Sequence, residues 1–509
     1  MATLKLGKEP GVYVQEEVNP ALSITEARLK VAGLVGHAPQ TIKVSNLAVT
    51  RSTEGSTDTI TEYGAAYVKE VLCASDYLNA YGSNLPQYVQ HPGEAPEVVE
   101  NPVLPDDPSP EQEAAHEAAL EKYNAYLAEL AAYNAAVAAA DYKVEGNVIT
   151  WLSDNKPVAG ANYYITLIVK KDASYFTPKR FADVDAVKEF YGPEFYEDTN
   201  GKQIVNELSL GARLMFNNGA DEIWICEAEP GVDGLPAVAN VKKAIDLLDD
   251  KDIQSLVVLY QTAEIQQYIK NSVVINSSTE NQHERVGFIC ALSEEADTIA
   301  EQCKSFKEQR IVNVVPSKVT VLAEDNEGNA QEFEVSSTFA AAAAVGMLTN
   351  NARLVSEPLT RKVLTGLYGL SKVYTRAEIE KMSAAGAFIL KPSGNYVTVN
   401  QAVTTDNSNQ NNRELSVVLI KDEVLKDIRY NLDRDYIGHS YNRKTTPTKI
   451  KTSIINILNT YLDTLIEGFD DGDIVVTADE LDTTRVNVKM SFAVLRPLNY
   501  IYISFMVAL

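Results

Sequence analysis

The sequence predicts an α+β multidomain protein: a layered α/β core with terminal β-strand arms and an outer inserted domain. Three observations predict it. Between residues 180 and 315, strand-length apolar runs alternate with helical patterns, the spacing of βαβ units. Before that lies a stretch rich in Pro and acid, then in Ala and Glu, unlike either flank. Near both ends the chain alternates apolar and other residues with period two. A length of 509 residues also exceeds one core, because cores stop growing near ~250 residues.

PGVYVQE near the start has a Pro10-Gly11 break, then Val12 and Val14 on one side and Tyr13 and Gln15 on the other. That is a strand in an extended arm. LKVAGLVGHAP (29–39) reads as a buried strand ending in a turn, with a polar Ser/Thr stretch after it to about residue 60. VKEVLCASDYLNAYG reads as a helix stopped by Gly82. From Pro86 to Pro110 the Pro and acid content predicts an exposed linker.

Ser109, Pro110 and Gln112 then form an N-cap, a first helical residue and a reciprocal capping side chain. In the helix they start, Leu120, Tyr123, Leu127, Leu130, Asn134 and Val137 keep 3-4 spacing. This seam fits packing on its own domain or a short coiled coil with another chain. NVITWLSDNKPVAGANYYITLIVKK reads as two β runs flanking a long hairpin loop.

In the α/β stretch, FADVDAVKEFYG, NELSLGARLMFNNG, VKKAIDLLDD, TAEIQQYIKNS and EEADTIAEQCKSF are helical. DEIWICEAE, QSLVVLY, ERVGFICAL and RIVNVVP are strands between them. AFILKP is a further strand. Two helices come after a loop at 406–412. The first puts Ile420, Val424, Ile428 and Leu432 on one face. The second, KIKTSIINILNTYLDTLIEG, carries Ile454, Ile457, Leu458, Tyr461, Leu465 and Ile466 as a stripe. DIVVTADE, RVNVKMSFAVL and NYIYISFMVAL finish as strands. The expected boundaries are 1–20 for the N-terminal arm, 21–40 for the first core strand and 41–179 for the outer insertion. A middle α/β domain spans 180–350, and a C-terminal domain ending in the β arm spans 351–509.

Composition excludes several function classes. A net charge of −25 disfavours nucleic acid as a partner, since phosphate binding is driven by Lys and Arg. It keeps free subunits apart, so self-assembly must overcome repulsion with specific contacts. Cys73, Cys226, Cys290 and Cys303 form no CxxC and read as buried reduced thiols. There is no apolar signal core, and FAAAAAVGML (339–348) is too short to span a bilayer. The expectation is a chain made and folded in a cytoplasm, with no membrane insertion.

No catalytic constellation stands out. The sequence has no phosphate-binding P-loop, no G-x-G-x-x-G after a strand and no G-x-S-x-G elbow. His37, His91, His116, His283 and His439 do not pair at metal-binding spacing. GFDDGD (468–473) lacks the spaced ligands of a calcium loop, and its acids suit a turn. No catalytic, cofactor-binding or metal residue is assigned. An acidic α/β enzyme stays an alternative, since active sites assemble residues distant in sequence.

The two ends carry the functional argument. In NYIYISFMVAL, Ile501, Ile503, Phe505 and Val507 line one side and Tyr500, Tyr502 and Met506 the other. A strand apolar on both faces needs cover on both. An unprotected strand is an aggregation hazard unless another chain's sheet receives it. An arm of about 20 residues reaches ~65 Å, far enough to cross to a neighbour. Pairing within one subunit fits the pattern equally.

A family resemblance separates these readings. PGVYVQE ahead of LKVAGLVGHAP resembles the start of contractile tail sheath proteins of bacteriophages and related injection particles. LGARLMFNNGADEIWICEAE, STFAAAAAVGMLTNNARLVSEPLT, the two long C-terminal helices and the closing strand-Pro-strand are similar to the family in the same order. The likeness covers most of 1–40 and 180–509, while 83–145 has no counterpart. It implies a structural, non-enzymatic subunit that polymerises as stacked rings around an inner tail tube and contracts. Pro10, Gly11, Val12, Tyr13 and Val14, with Tyr500, Ile501, Tyr502, Ile503, Phe505 and Val507, become intersubunit arms that exchange strands. The implied partners are other copies, the tube protein, and baseplate and terminator proteins. The implied location is a virion tail assembled in the bacterial host's cytoplasm.

Family members touch the tube through an inner helix. The candidate here is 420–435, with Lys421, Lys426, Arg429 and Arg434 on its polar face. An ordinary solvated mixed-charge helix is the other reading of that face. Phage, tailocin and cellular injection sheaths all fit. A type VI secretion sheath fits less well, being split over two chains. A different tail or baseplate component sharing strand exchange is the remaining structural alternative.

Overall fold

A computed structural model describes residues 30–39, 41–61, 66–71, 88–106, 108–197, 202–231, 236–325, 328–499 and 501–504. The protein is α+β and forms two compact units, one joining the segment through Pro39 to Ala173–Leu509, the other Gln40–Asp172.

The first unit is built on a nine-stranded sheet. Its strands are β1 (Ala32–Gly36), β2 (Lys179–Phe181), β3 (Ile223–Glu227), β4 (Ser255–Val258) and β5 (Val286–Cys290). β6 (Ile311–Val315), β7 (Val363–Leu364), β8 (Ala387–Ser393) and β9 (Tyr396–Val399) complete it. The order is β7-β9-β8-β6-β5-β4-β1-β3-β2. The six strands from β8 to β3 pair in parallel, with Leu34 opposite Ile225 on one side and Val257 on the other. The outer strands pair antiparallel.

Parallel strands buried on both faces must be apolar throughout, which is why SLVV, VGFIC and IVNVV show no alternation. On one face Leu34, Val257, Phe288 and Val312 join a core shared with helices Glu207–Asn217, Thr338–Leu348, Leu415–Tyr436 and Thr446–Asn459. On the other, Val35, Leu256, Val258 and Ile289 pack with Val241 and Ile245 of one helix and Ile265, Ile269 and Val273 of the next. The run FAAAAAVGML is a core helix: Phe339 through Gly346 and Leu348 are all buried. Its small residues let it lie against the helix Glu207–Asn217.

One helix end and one strand differ from expectation near the end of the chain. The helix expected to 468 stops at Asn459, and Ile466–Gly468 is a strand paired with Ala493–Val494. The single strand expected over RVNVKMSFAVL is two, because Val486–Lys489 pairs instead with Val475–Ala478. The turn of that hairpin is held by Asp479. N–H donation from Asp482, the Asn487 amide and the N–H of Leu481 pull its carboxyl down to about 2.

The second unit has two small sheets. Thr41–Thr50, Asn162–Lys170 and Ala66–Val71 form one, and Thr57–Thr59, Val148–Trp151 and Tyr142–Glu145 the other. The expected pairing of 148–151 with 162–170 is therefore corrected: each run is a strand, but they belong to different sheets. Val148–Trp151 turns back on its immediate upstream neighbour, a shorter closure than the loop 152–161. The Ser/Thr stretch before residue 60 holds two of these strands. Val68–Val71, expected as the start of a helix, is strand, since its residues pair with Ile165–Leu167; the rest of that helix lies outside the described residues.

Asp58 organises the unit's polar centre. It accepts from the Trp151 indole at 2.8 Å, the Tyr163 hydroxyl at 3.0 Å and the Ser52 N–H at 2.7 Å, and pairs with Arg51 at 3.0 Å. The helix Pro110–Ala139 begins with the expected capping box between Ser109 and Gln112. None of its residues is buried. Its half-covered face runs through Tyr123, Tyr126, Leu130 and Tyr133, and Leu120 and Leu127 of the expected seam are exposed. Tyr133 donates to the Gly93 carbonyl at 3.1 Å, so this face rests on the Pro-rich segment of the same unit.

Candidate functional site

The C-terminal segment holds the features from which a function can be built. Helix Leu415–Tyr436 forms because Ile420, Val424, Ile428 and Leu432 share one apolar face, and all four are buried. Its polar side is not a free basic face. Lys421 donates to Gln309 at 3.1 Å, Lys426 pairs with Asp252 at 2.5 Å, and Arg429 pairs with Glu284 and donates to the Gln282 carbonyl at 2.8 Å. Asp422 takes a buried, two-pronged bond from Arg310 at 2.8 and 2.9 Å. Those partners lie just before β4, β5 and β6, so the helix is fastened across the starting ends of three parallel strands. The structure brings Lys421, Lys426 and Arg429 together on that inward side. Arg434 stands apart, exposed and paired with Asp435 at 2.7 Å.

A second charged feature was not singled out from the sequence. Between Asp435 and Asp463 the chain holds Arg443, Lys444, Lys449 and Lys451 and no Asp or Glu, within a protein of net charge −25. That run of one sign is the signal that marks it. It spans the elbow between the two long helices, with Arg443 and Lys444, and the first turns of the second helix, with Lys449 and Lys451. Arg443 and Lys451 donate to the backbone carbonyls of Asp479 and Asp471, both at 2.6 Å, and Lys444 and Lys449 are exposed.

The last described residues are the other feature. Ile501, Tyr502 and Ile503 are 74%, 92% and 81% exposed and Leu498 is 79% exposed. Residues 501–504 join no sheet of the described chain. Both sides of this run therefore face solvent, an unusual place for four large apolar groups so close together. Pro10, Gly11, Val12, Tyr13 and Val14, and likewise Tyr500, Phe505 and Val507, lie outside the described residues.

One described histidine and three described cysteines are engaged or buried. His37 pairs with Glu207 at 2.9 Å. Burial pushes the thiols up, Cys226 to about 12 and Cys290 and Cys303 to about 11, which leaves them poor nucleophiles. Among the described residues no group of three or more His, Cys, Asp or Glu is placed to hold a metal, and no helix is long and apolar enough to cross a membrane.

Comparison with known proteins bears on this segment directly. Residues 407–508 match the phage tail sheath C-terminal domain. A tail sheath protein of Mycobacterium phage Bxz1 is 27% identical over 344 residues, covering 66% of this chain and 57% of the relative's own length. Among solved structures, the anti-feeding prophage helical sheath in its contracted state covers 98% of this chain and 99% of its own, with TM-score 0.53 at 12% identity. A structure of the anti-feeding prophage baseplate aligns over 67% of this chain and 90% of that one, with TM-score 0.52 at 15% identity. At these identities the two structural likenesses speak for the fold.

Proposed function

We propose, from the premise that this chain belongs to the tail sheath protein family, that it is the structural subunit of a contractile sheath. The observation that carries the proposal is the match over 407–508, a segment in which Ile501, Tyr502 and Ile503 are exposed and join no sheet of the described chain. Subunits stack as rings around an inner tube. The two terminal arms, Pro10 to Val14 and Tyr500 to Val507, add strands to neighbouring subunits. Main-chain hydrogen bonds supply the hold, and extended arms leave each body free to rotate. Such contacts are head-to-tail and grow into a helix instead of closing.

Contraction then needs no catalytic site. The extended sheath is a trapped state, and a baseplate signal releases it to a better-packed one. The role is structural, and the place is a virion tail or a related injection particle. Tube contact is carried by the basic elbow, Arg443, Lys444, Lys449 and Lys451, with Arg434 beside it on the preceding helix. Lys421, Lys426 and Arg429 serve to fasten that helix to the sheet. Exposed cations make weak pairs, which suits a contact that must break.

The test is assembly. Purified chain is mixed with tube protein at moderate salt, which screens the self-repulsion, and viewed by electron microscopy. Hollow striated sheaths around tubes are expected, and lost when Lys444→Glu and Lys449→Glu are combined. Dispersed particles at all salt and protein concentrations overturn the reading.

A further inference from the structure

The chain beyond Val494 does not simply dangle. Leu495 donates its N–H to the Leu465 carbonyl at 2.9 Å, the last ladder-like bond of the described chain. Two side chains then hold the segment 496–499. Arg496 donates to Asn411 Oδ1 at 3.0 Å, and Asn499 Nδ2 donates to Glu414 Oε1 at 3.0 Å. Both acceptors lie in the short stretch that opens the helix Leu415–Tyr436. Pro497 stands between the two donors and stiffens the link. Immediately beyond, Ile501, Tyr502 and Ile503 are exposed.

The receiving side is rigid. Glu414 is buried and also accepts from Gln401 at 3.3 Å. Its backbone pairs with Val403 as an isolated bridge. Its neighbour Arg413 is tied to the Ser383 carbonyl at 3.1 Å and to Gln401 at 3.3 Å. Yet the hold is not saturated: Glu414 Oε2 and Asn499 Oδ1 are buried without a hydrogen-bond partner. Each bond has an ionisable partner, Arg496 in one and the buried Glu414 in the other, so the pair fixes a direction, and opening the second strips a buried carboxyl of a donor.

We infer that Arg496–Asn411 and Asn499–Glu414 form a two-point clamp that aims the C-terminal arm, so that a second copy of this chain meets it already oriented. The inference rests on the strand-exchange reading above and adds to it the residues that position the arm. A free arm loses its orientational freedom when it docks, whereas a clamped one has lost most of it beforehand. Arg496 and Asn499 are positioning residues; the contact itself belongs to the apolar run beyond.

The test separates clamp from assembly. Spin labels are placed at Tyr502→Cys and Arg376→Cys, with Cys73→Ser, and their distance distribution is measured in dispersed subunits at low salt. One narrow peak is expected, lost in Arg496→Ala/Asn499→Ala and kept in Glu414→Gln, which retains the accepting oxygen. In assembly, the double variant is expected to need several-fold more protein to form tubes, with unchanged thermal melting. A peak as narrow in the double variant as in the parent overturns the clamp. A lost peak with an unchanged assembly threshold overturns its role in aiming the arm. If the parent forms no tubes with tube protein present, the strand-exchange reading fails, and the distance peak still decides whether the clamp exists.

Discussion

A methyl group at Gly346 would lie 2.2 Å from the carbonyl oxygen of Met215. That contact is with backbone, which has no rotamer to yield. On helix propensity alone, Gly346→Ala should stabilise by about 1 kcal/mol. Forcing two core helices apart costs about 1–3 kcal/mol or more, and this term wins. The substitution is expected to destabilise the first unit by about 1 kcal/mol or more, read as a lower denaturation midpoint. A raised midpoint would mean the helices are not held that close. At this scale the sequence was partly legible. The greasy run 339–348 announces burial, but nothing in it says that Gly346 meets Met215. The charged residues of 420–435 were equally visible, but not their partners: Lys426 reaches Asp252 across 174 positions and Arg429 reaches Glu284 across 145. An inward cation and a solvated one look the same in sequence when both alternate with apolar neighbours.

Elements were legible where their signals are local. Ser109, Pro110 and Gln112 mark the start of a helix, and the capping box is there. Because none of that helix is buried, its cap matters locally. Ser109→Ala is expected to cost about 1 kcal/mol of helix stability, seen as faster hydrogen exchange over the first turn. Melting of the nine-stranded core should not move, and a shift there would show that the helix couples to the core. Elements were illegible where partners decide. Val148–Trp151 and Asn162–Lys170 have the right length and turn chemistry for a hairpin, yet each pairs elsewhere. The competition was between loops, and the shorter closure through Gly146 won. Ile466 continues the apolar stripe of the preceding helix in sequence, but Val494, 28 residues on, takes it as a strand partner.

For the whole molecule, alternating strands and helices announced the layered core, and helical crossovers account for its parallel centre. The strand order was not announced: β1 sits between β3 and β4, so Ala32 waits for Ile223 and Ser255, 191 and 223 residues later. The site is similar. The apolar run at 501–503 was visible from its pattern, while the clamp at its root joins residues 85 apart. The basic elbow becomes conspicuous only against the charge of the whole chain. On the proposed sheath reading, an acidic chain that repels its copies needs strong directed contacts to polymerise, and the terminal arms are proposed to supply them. The most direct test is electron microscopy of three proteins under identical salt and concentration: the full chain, a form lacking residues 1–18, and a form ending at Asn499. The account predicts striated tubes from the full chain. Both truncated forms should stay dispersed while keeping the parent's circular dichroism and melting temperature. Normal tubes from either truncated form would contradict assembly by exchanged terminal strands.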